Sequence, residues 1–135
     1  EAAFTLTPGT HGSTFAGGPL ACALAETTLD VMINGGVIEN SRKMGEYFRD
    51  QMHKVIEKNH PAAVKEIRGL GLIDGIELNH PSGQPVVDLC FKDSNVLINN
   101  TNGNVLRFVP PLIVNEQEID IVIKAVDDAM TKLGW

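Results

Sequence analysis

The spacing of apolar positions changes several times along the chain, and each change marks an element. Residues 20–33 are rich in Ala and Leu and nearly apolar on every side, which predicts a helix buried on most of its surface. Pro19 suits its first position, and Asn34-Gly35-Gly36 supplies the residues that close a helix. Residues 37–59 read as a second helix. Ile38, Met44, Tyr47, Phe48, Met52, Val55 and Ile56 fall on one stripe, and Arg42, Lys43, Glu46, Arg49, Asp50, Lys54 and Glu57 cover the other side. His60-Pro61 stops it.

The period then shortens. Residues 64–68 and 72–78 predict two strands around Gly69 and Gly71, followed by a turn at His80-Pro81-Ser82-Gly83 and a short helix over 85–93. Residues 96–99 and 105–109 predict two more strands, joined by the hairpin signal Asn100-Thr101-Asn102-Gly103 and ended by Pro110-Pro111. Asn115 and Glu118 have the spacing of a capping box, in which each residue satisfies a free backbone N–H of the other. The helix they open puts Ile119, Val122, Ile123, Val126, Met130 and Leu133 on one face. Helices over one face of a small, largely antiparallel sheet make an α+β domain.

Composition narrows the function. An apolar fraction of 43% and a charged fraction of 21% fit a folded globular chain. A net charge of −6 and the absence of basic runs argue against nucleic acid as a partner. No stretch of about 18 apolar residues predicts a membrane span. Cys22 and Cys90 lie in apolar surroundings without metal-ligand spacing, so both are expected as buried thiols in a reducing compartment. The four histidines do not cluster: His53 lies on a polar helix side, His60 and His80 precede prolines, and His11 sits in a loop. Neither a metal site nor a nucleophile–base arrangement is expected from their order.

Two places could carry chemistry. Residues 4–18 form a loop rich in Gly, Ser, Thr and Pro, with Ser13 and Thr14 just ahead of a helix. Hydroxyls, glycines and the positive end of a helix dipole suit a phosphate, although Ser and Thr stand before helices for capping reasons too. Arg107 is the only charged residue between Val105 and Pro111, on a strand expected to be buried. Such an arginine needs an anionic partner, either a structural Asp or Glu or a ligand carboxylate held by two parallel hydrogen bonds.

The stretch GTHGSTFAGGPLACA resembles the HGSTFGGNPLACA form of the class III aminotransferases, which are fold-type I pyridoxal-phosphate enzymes. IRGLGLIDGIEL is similar to that family's RGxGLMxGIEL, and VLINNTNGNVLRFVPPLIV to its LLINxTxxNVLRFLPPL. The likeness runs through essentially the whole chain in the family's order. Within the class, the HGST form and the last stretch resemble the acetylornithine aminotransferase branch most. Ornithine, succinylornithine and 4-aminobutyrate aminotransferases are the near alternatives.

The resemblance implies that Thr14 binds the phosphate of pyridoxal 5'-phosphate, in the neighbouring subunit's active site. It implies that Ser13 contacts the amino-acid substrate and that Arg107 contacts its α-carboxylate. It implies a cytoplasmic homodimer that exchanges an amino group between N-acetylornithine and 2-oxoglutarate in arginine biosynthesis. The family pattern departs at Ala16 and Gly18, where Gly and Asn are usual. Residues 1–35 would be the tail of the large domain and residues 36–135 the C-terminal small domain. The family's Schiff-base lysine lies upstream of the HGST segment, whereas the first lysine here is Lys43, in an amphipathic helix. The expectation is therefore a C-terminal portion that is inactive alone. A free-standing α+β module binding an anion or a protein is the competing reading.

Overall fold

The computed structural model describes Thr7 and residues 9–135; the remaining residues of the expected 4–18 loop, 4–6 and Pro8, lie outside the described residues. The chain divides into two units, Glu1–Gly36 and Val37–Trp135.

In the first unit, residues 9–18 hold neither helix nor strand and lead into α1, Pro19–Asn34. Pro19 occupies the first turn as its missing N–H allows, and Gly35 closes the far end with its N–H donating to the Val31 carbonyl. No residue of α1 is buried within the chain. Leu20 and Ile33 are 75% and 68% exposed, so the expectation of a covered helix is not met among the described residues. Cys22 accordingly is exposed, which corrects the reading of both cysteines as buried. Its apolar neighbours share a helix in which no residue is buried.

The second unit has a core of its own. Helix α2, Val37–Gln51, continues as a π-helical segment, Met52–Glu57. The amphipathic pattern gives the extent of this helix but not its widened turn, which keeps Met52 and Ile56 in the core beyond Phe48. A four-stranded antiparallel sheet of order β1-β2-β4-β3 follows, from β1 (Val64–Leu70), β2 (Ile73–Leu78), β3 (Asn99–Thr101) and β4 (Val105–Phe108). Between β2 and β3 lies α3, Gln84–Ser94, and the chain ends in α4, Glu116–Leu133.

The strand pattern of β2 places Asp74, Ile76 and Leu78 toward the helices, where they meet Leu106 and Phe108 of β4 in the core. The Phe108 ring meets Phe48 of α2 edge-on, at 5.2 Å between centroids. Leu72, expected in a strand, instead forms the tight turn with Gly71 and still drops its side chain into the core. Cys90 of α3 is buried as expected, and burial pushes its thiol up to about 11.

The hairpin between β3 and β4 turns at Asn102 and Gly103, both with positive φ, as an Asn-Gly pair allows. The strand expected over 96–99 begins only at Asn99. Extending the ladder from Asn99↔Arg107 would set Val96 opposite Pro110, which has no N–H to donate. The chain diverges there instead. Asn40 of α2 donates from Nδ2 to the carbonyls of Leu112 and Val114 at 2.8 and 3.0 Å, fixing the segment after the prolines. The capping box opens α4 as expected, with the Glu118 N–H donating to Asn115 Oδ1 and the Asn115 N–H to Glu118 Oε2, both at 3.0 Å.

Candidate functional site

Ser13 and Thr14 lie in the first unit, exposed, in the turn that precedes α1. Ser13 Oγ accepts the N–H of Ala16 at 3.2 Å, which leaves its own O–H free to donate outward. The helix N-cap is Gly18, and no side chain caps the first turn. An asparagine at this position, usual in the resembled family, would carry an oxygen able to cap those amides. With glycine they stay open. Hydroxyl donors and unfilled first-turn N–H groups form a donor set suited to a phosphate dianion. Gly17, at φ 77°, supplies the left-handed residue that the turn needs.

Arg107 lies in the second unit and is exposed, which corrects the expectation of a buried strand. Among the described residues, the helices of this unit cover one face of the sheet. Leu106 and Phe108 take that face, so Arg107 between them points to the other. Across the ladders its direct neighbours are Gly75 of β2 and Asn99 of β3. Neither carries a charge. The same open face holds Glu66, Arg68 and Glu77, with Lys65 at the bulge between Val64 and Glu66. Lys65 Nζ donates to Glu77 Oε1 at 2.5 Å, and Arg68 Nη1 donates to Glu77 Oε2 and Glu66 Oε2, both at 2.7 Å. These two cations, Lys65 foremost, hold the Glu77 carboxyl below its ordinary range. Among the described residues Arg107 takes part in no ion pair.

Two polar clusters were not legible in the sequence, and both are structural. His60 is 4% exposed, with Nε2 at 2.8 Å from Asp127 Oδ1 and Nδ1 at 2.7 Å from the Trp135 carbonyl oxygen. His80 stacks on the Trp135 ring at 3.8 Å. Asp74 is 2% exposed and accepts from Arg49 Nη1 at 2.6 Å, while Arg49 also donates to the Gly71 carbonyl. Partners separated by 22 to 75 residues leave no local signal.

An apolar groove of ≈ 660 Å³ opens where β3 and β4 diverge, between Val96–Ile98 and the Pro110-Pro111 segment. Its acidic residue, Glu118, is already engaged in the capping box, and Arg107 does not line it. Among the described residues no single helix is long and apolar enough to cross a membrane.

Known proteins match this arrangement. Ornithine aminotransferase 2 of Staphylococcus saprophyticus is 42% identical over 120 residues, which is 89% of this chain and 29% of that protein. Acetylornithine aminotransferase of Caldanaerobacter subterraneus is 43% identical over 128 residues, or 95% of this chain and 32% of that protein. The crystal structure of ornithine aminotransferase from Toxoplasma gondii, which has partial occupancy of PLP at its active site, superposes with a TM-score of 0.82 at 32% identity. That match covers 98% of this chain and 31% of the other. The chain thus spans about 30% of the length of the relatives it matches. The family model for class-III aminotransferases matches residues 1–130, and the chain belongs to that family.

Proposed function

We propose that this chain is the C-terminal portion of a pyridoxal-phosphate aminotransferase that exchanges an amino group between N-acetylornithine and 2-oxoglutarate. In this reading residues 1–35 end the large domain, residues 36–135 form the small domain, and the whole enzyme is a cytoplasmic homodimer of arginine biosynthesis. Relatives named for ornithine and for acetylornithine match almost equally, so ornithine is the near alternative substrate in this reading. Class III aminotransferases are pyridoxal-phosphate-dependent. That cofactor supplies an electron-accepting ring to the amino-acid carbon.

The residues of this chain bind and orient. Thr14 and the open first turn of α1 hold the cofactor phosphate, and Ser13 contacts the amino-acid substrate. Arg107 grips the substrate α-carboxylate, and the observation that carries this role is a guanidinium on an open sheet face with no carboxylate opposite it. A bidentate grip fixes both the position and the plane of the carboxylate. The chain alone is inactive in this proposal, because the lysine that holds the cofactor lies outside it.

The test is a titration of cofactor and substrate on variants of the full-length protein. Thr14→Ala removes one hydroxyl donor to a dianion, worth about 1.5–3 kcal/mol, so cofactor affinity falls roughly ten- to a hundredfold and excess cofactor restores activity. Arg107→Lys leaves cofactor affinity intact and raises KM for the amino-acid substrates, and added cofactor does not rescue it. Normal substrate binding in Arg107→Lys with an early melt would make Arg107 a structural residue and overturn the reading.

A further inference from the structure

In an asparagine followed by glycine, the next main-chain nitrogen can reach the side-chain amide, because glycine has no side chain of its own to shield it. The sequence holds two such pairs, Asn34-Gly35 and Asn102-Gly103. All four residues are exposed, so access of water does not separate them. The glycine nitrogen does. Gly35 closes α1, and its N–H donates to the Val31 carbonyl at 2.8 Å. The Asn34 side chain is held as well, with Nδ2 donating to Asp30 Oδ1 at 2.7 Å. In the hairpin between β3 and β4 the Gly103 carbonyl accepts the Gly83 N–H at 2.9 Å. Neither the Gly103 N–H nor the Asn102 side chain takes part in a hydrogen bond among the described residues. The pair at the hairpin is also this chain's own, since the resembled pattern LLINxTxxNVLRFLPPL leaves both positions open.

We propose that Asn102 is a site of spontaneous deamidation, a modification that Asn34 resists. The Gly103 nitrogen attacks Asn102 Cγ and a ring N–C bond forms. The bond from Cγ to the side-chain nitrogen breaks, and ammonia leaves with the proton that the Gly103 amide gives up. Solvent water then opens the five-membered imide. Attack at Cγ leaves aspartate, and attack at the main-chain carbonyl leaves isoaspartate. Either product carries a carboxylate where the turn had a neutral amide. Isoaspartate also adds a methylene carbon to the main chain between the paired residues Thr101 and Val105. The nearest contact to feel it is the Gly83–Gly103 hydrogen bond, which ties the hairpin to the N-cap of α3.

The experiment holds the full-length protein in warm, mildly alkaline buffer and follows the peptides spanning each pair by mass spectrometry, reading conversion of amide to acid. Isoaspartate is scored separately, by enzymatic methylation of the released peptides. Each hydrogen bond at Asn34-Gly35 lowers its reactive population by about two- to tenfold, so Asn102 converts faster by roughly tenfold or more. In urea both pairs become open chain and the two rates converge. Asn102→Gln, whose longer side chain would have to close a less favourable six-membered ring, abolishes the change at the hairpin and leaves the slow rate at Asn34 as it was. Conversion at Asn34 as fast as at Asn102 in native buffer overturns the inference. So does a native hairpin that stays unchanged while the sample in urea reacts. An advantage of Asn102 that persists undiminished in urea assigns the difference to neighbouring residues rather than to the fold, and overturns it too.

Discussion

Helix α1 and helix α4 have similar lengths and comparable numbers of apolar residues, but opposite fates. Six residues of α4 are buried, from Ile119 to Met130, against α2 and α3. None of α1 is. The apolar residues of α4 repeat on one stripe, so a single neighbouring layer covers them. Those of α1 spread around the whole circumference, and a helix of that kind needs cover on several sides at once. An apolar stripe names a partner inside the domain, whereas an apolar helix without a stripe calls for surfaces from elsewhere.

Thiol chemistry sharpens the contrast most, because each region carries one cysteine. Cys22 on α1 is exposed, while Cys90 is buried with its thiol at about 11. At pH 8 iodoacetamide should label Cys22 faster than Cys90 by more than about a hundredfold, with equal labelling in urea. Equal rates in native buffer, read by mass spectrometry, would mean that the second unit opens freely or that α1 is covered.

Truncations of side chains should divide along the same line. Phe48→Ala empties a site at the centre of the core and should cost about 3–5 kcal/mol in urea unfolding. Leu24→Ala, on the 60% exposed flank of α1, should stay within about 0.5 kcal/mol. A large cost at Leu24 would break the comparison by revealing a partner for α1.

The smallest effect is on pH. Lys65 and Arg68 hold Glu77 below its ordinary value, and Lys132 does the same for Asp93. Their contribution is present above the ordinary carboxylate range and is lost as pH falls below it, through the lowered folded values. Asp74 runs the other way, since burial outweighs Arg49 and raises its carboxyl. Protonating Asp74 in acid therefore favours the folded state. Urea midpoints at pH 7 and pH 4 should show a larger acid loss in Asp74→Asn than in the parent, and an equal or smaller loss would contradict the sign.

Much of the second unit was legible because its signals are local: a stripe in α2 and α4, an Asn-Gly turn, a capping box whose two residues are three apart. What escaped depended on chain segments far apart. The strand over 96–99 fails because its ladder partner is a proline, and the pair Arg49–Asp74 joins a helix to the start of β2. At the candidate site, the proposed residues rest on motif likeness and the phosphate-friendly composition of the loop. That Arg107 is exposed could not be read from its own strand, because it depends on which face of the sheet the helices cover.

Gly45 and Gly71 set a limit on what this architecture can tolerate. A Cβ on Gly45 would run into the Gly71 carbonyl, so helix and turn meet backbone to backbone. One turn further along α2, Arg49 reaches the same carbonyl and Asp74. The contact works as a gauge block. Any side chain at position 45 lifts the helix, and the lift is felt at the start of β2, the strand that carries Gly75 and Glu77 beside Arg107. Alanine at position 45, the mildest replacement in most helices, should here be among the least interchangeable, and its damage should register on the far face of the sheet.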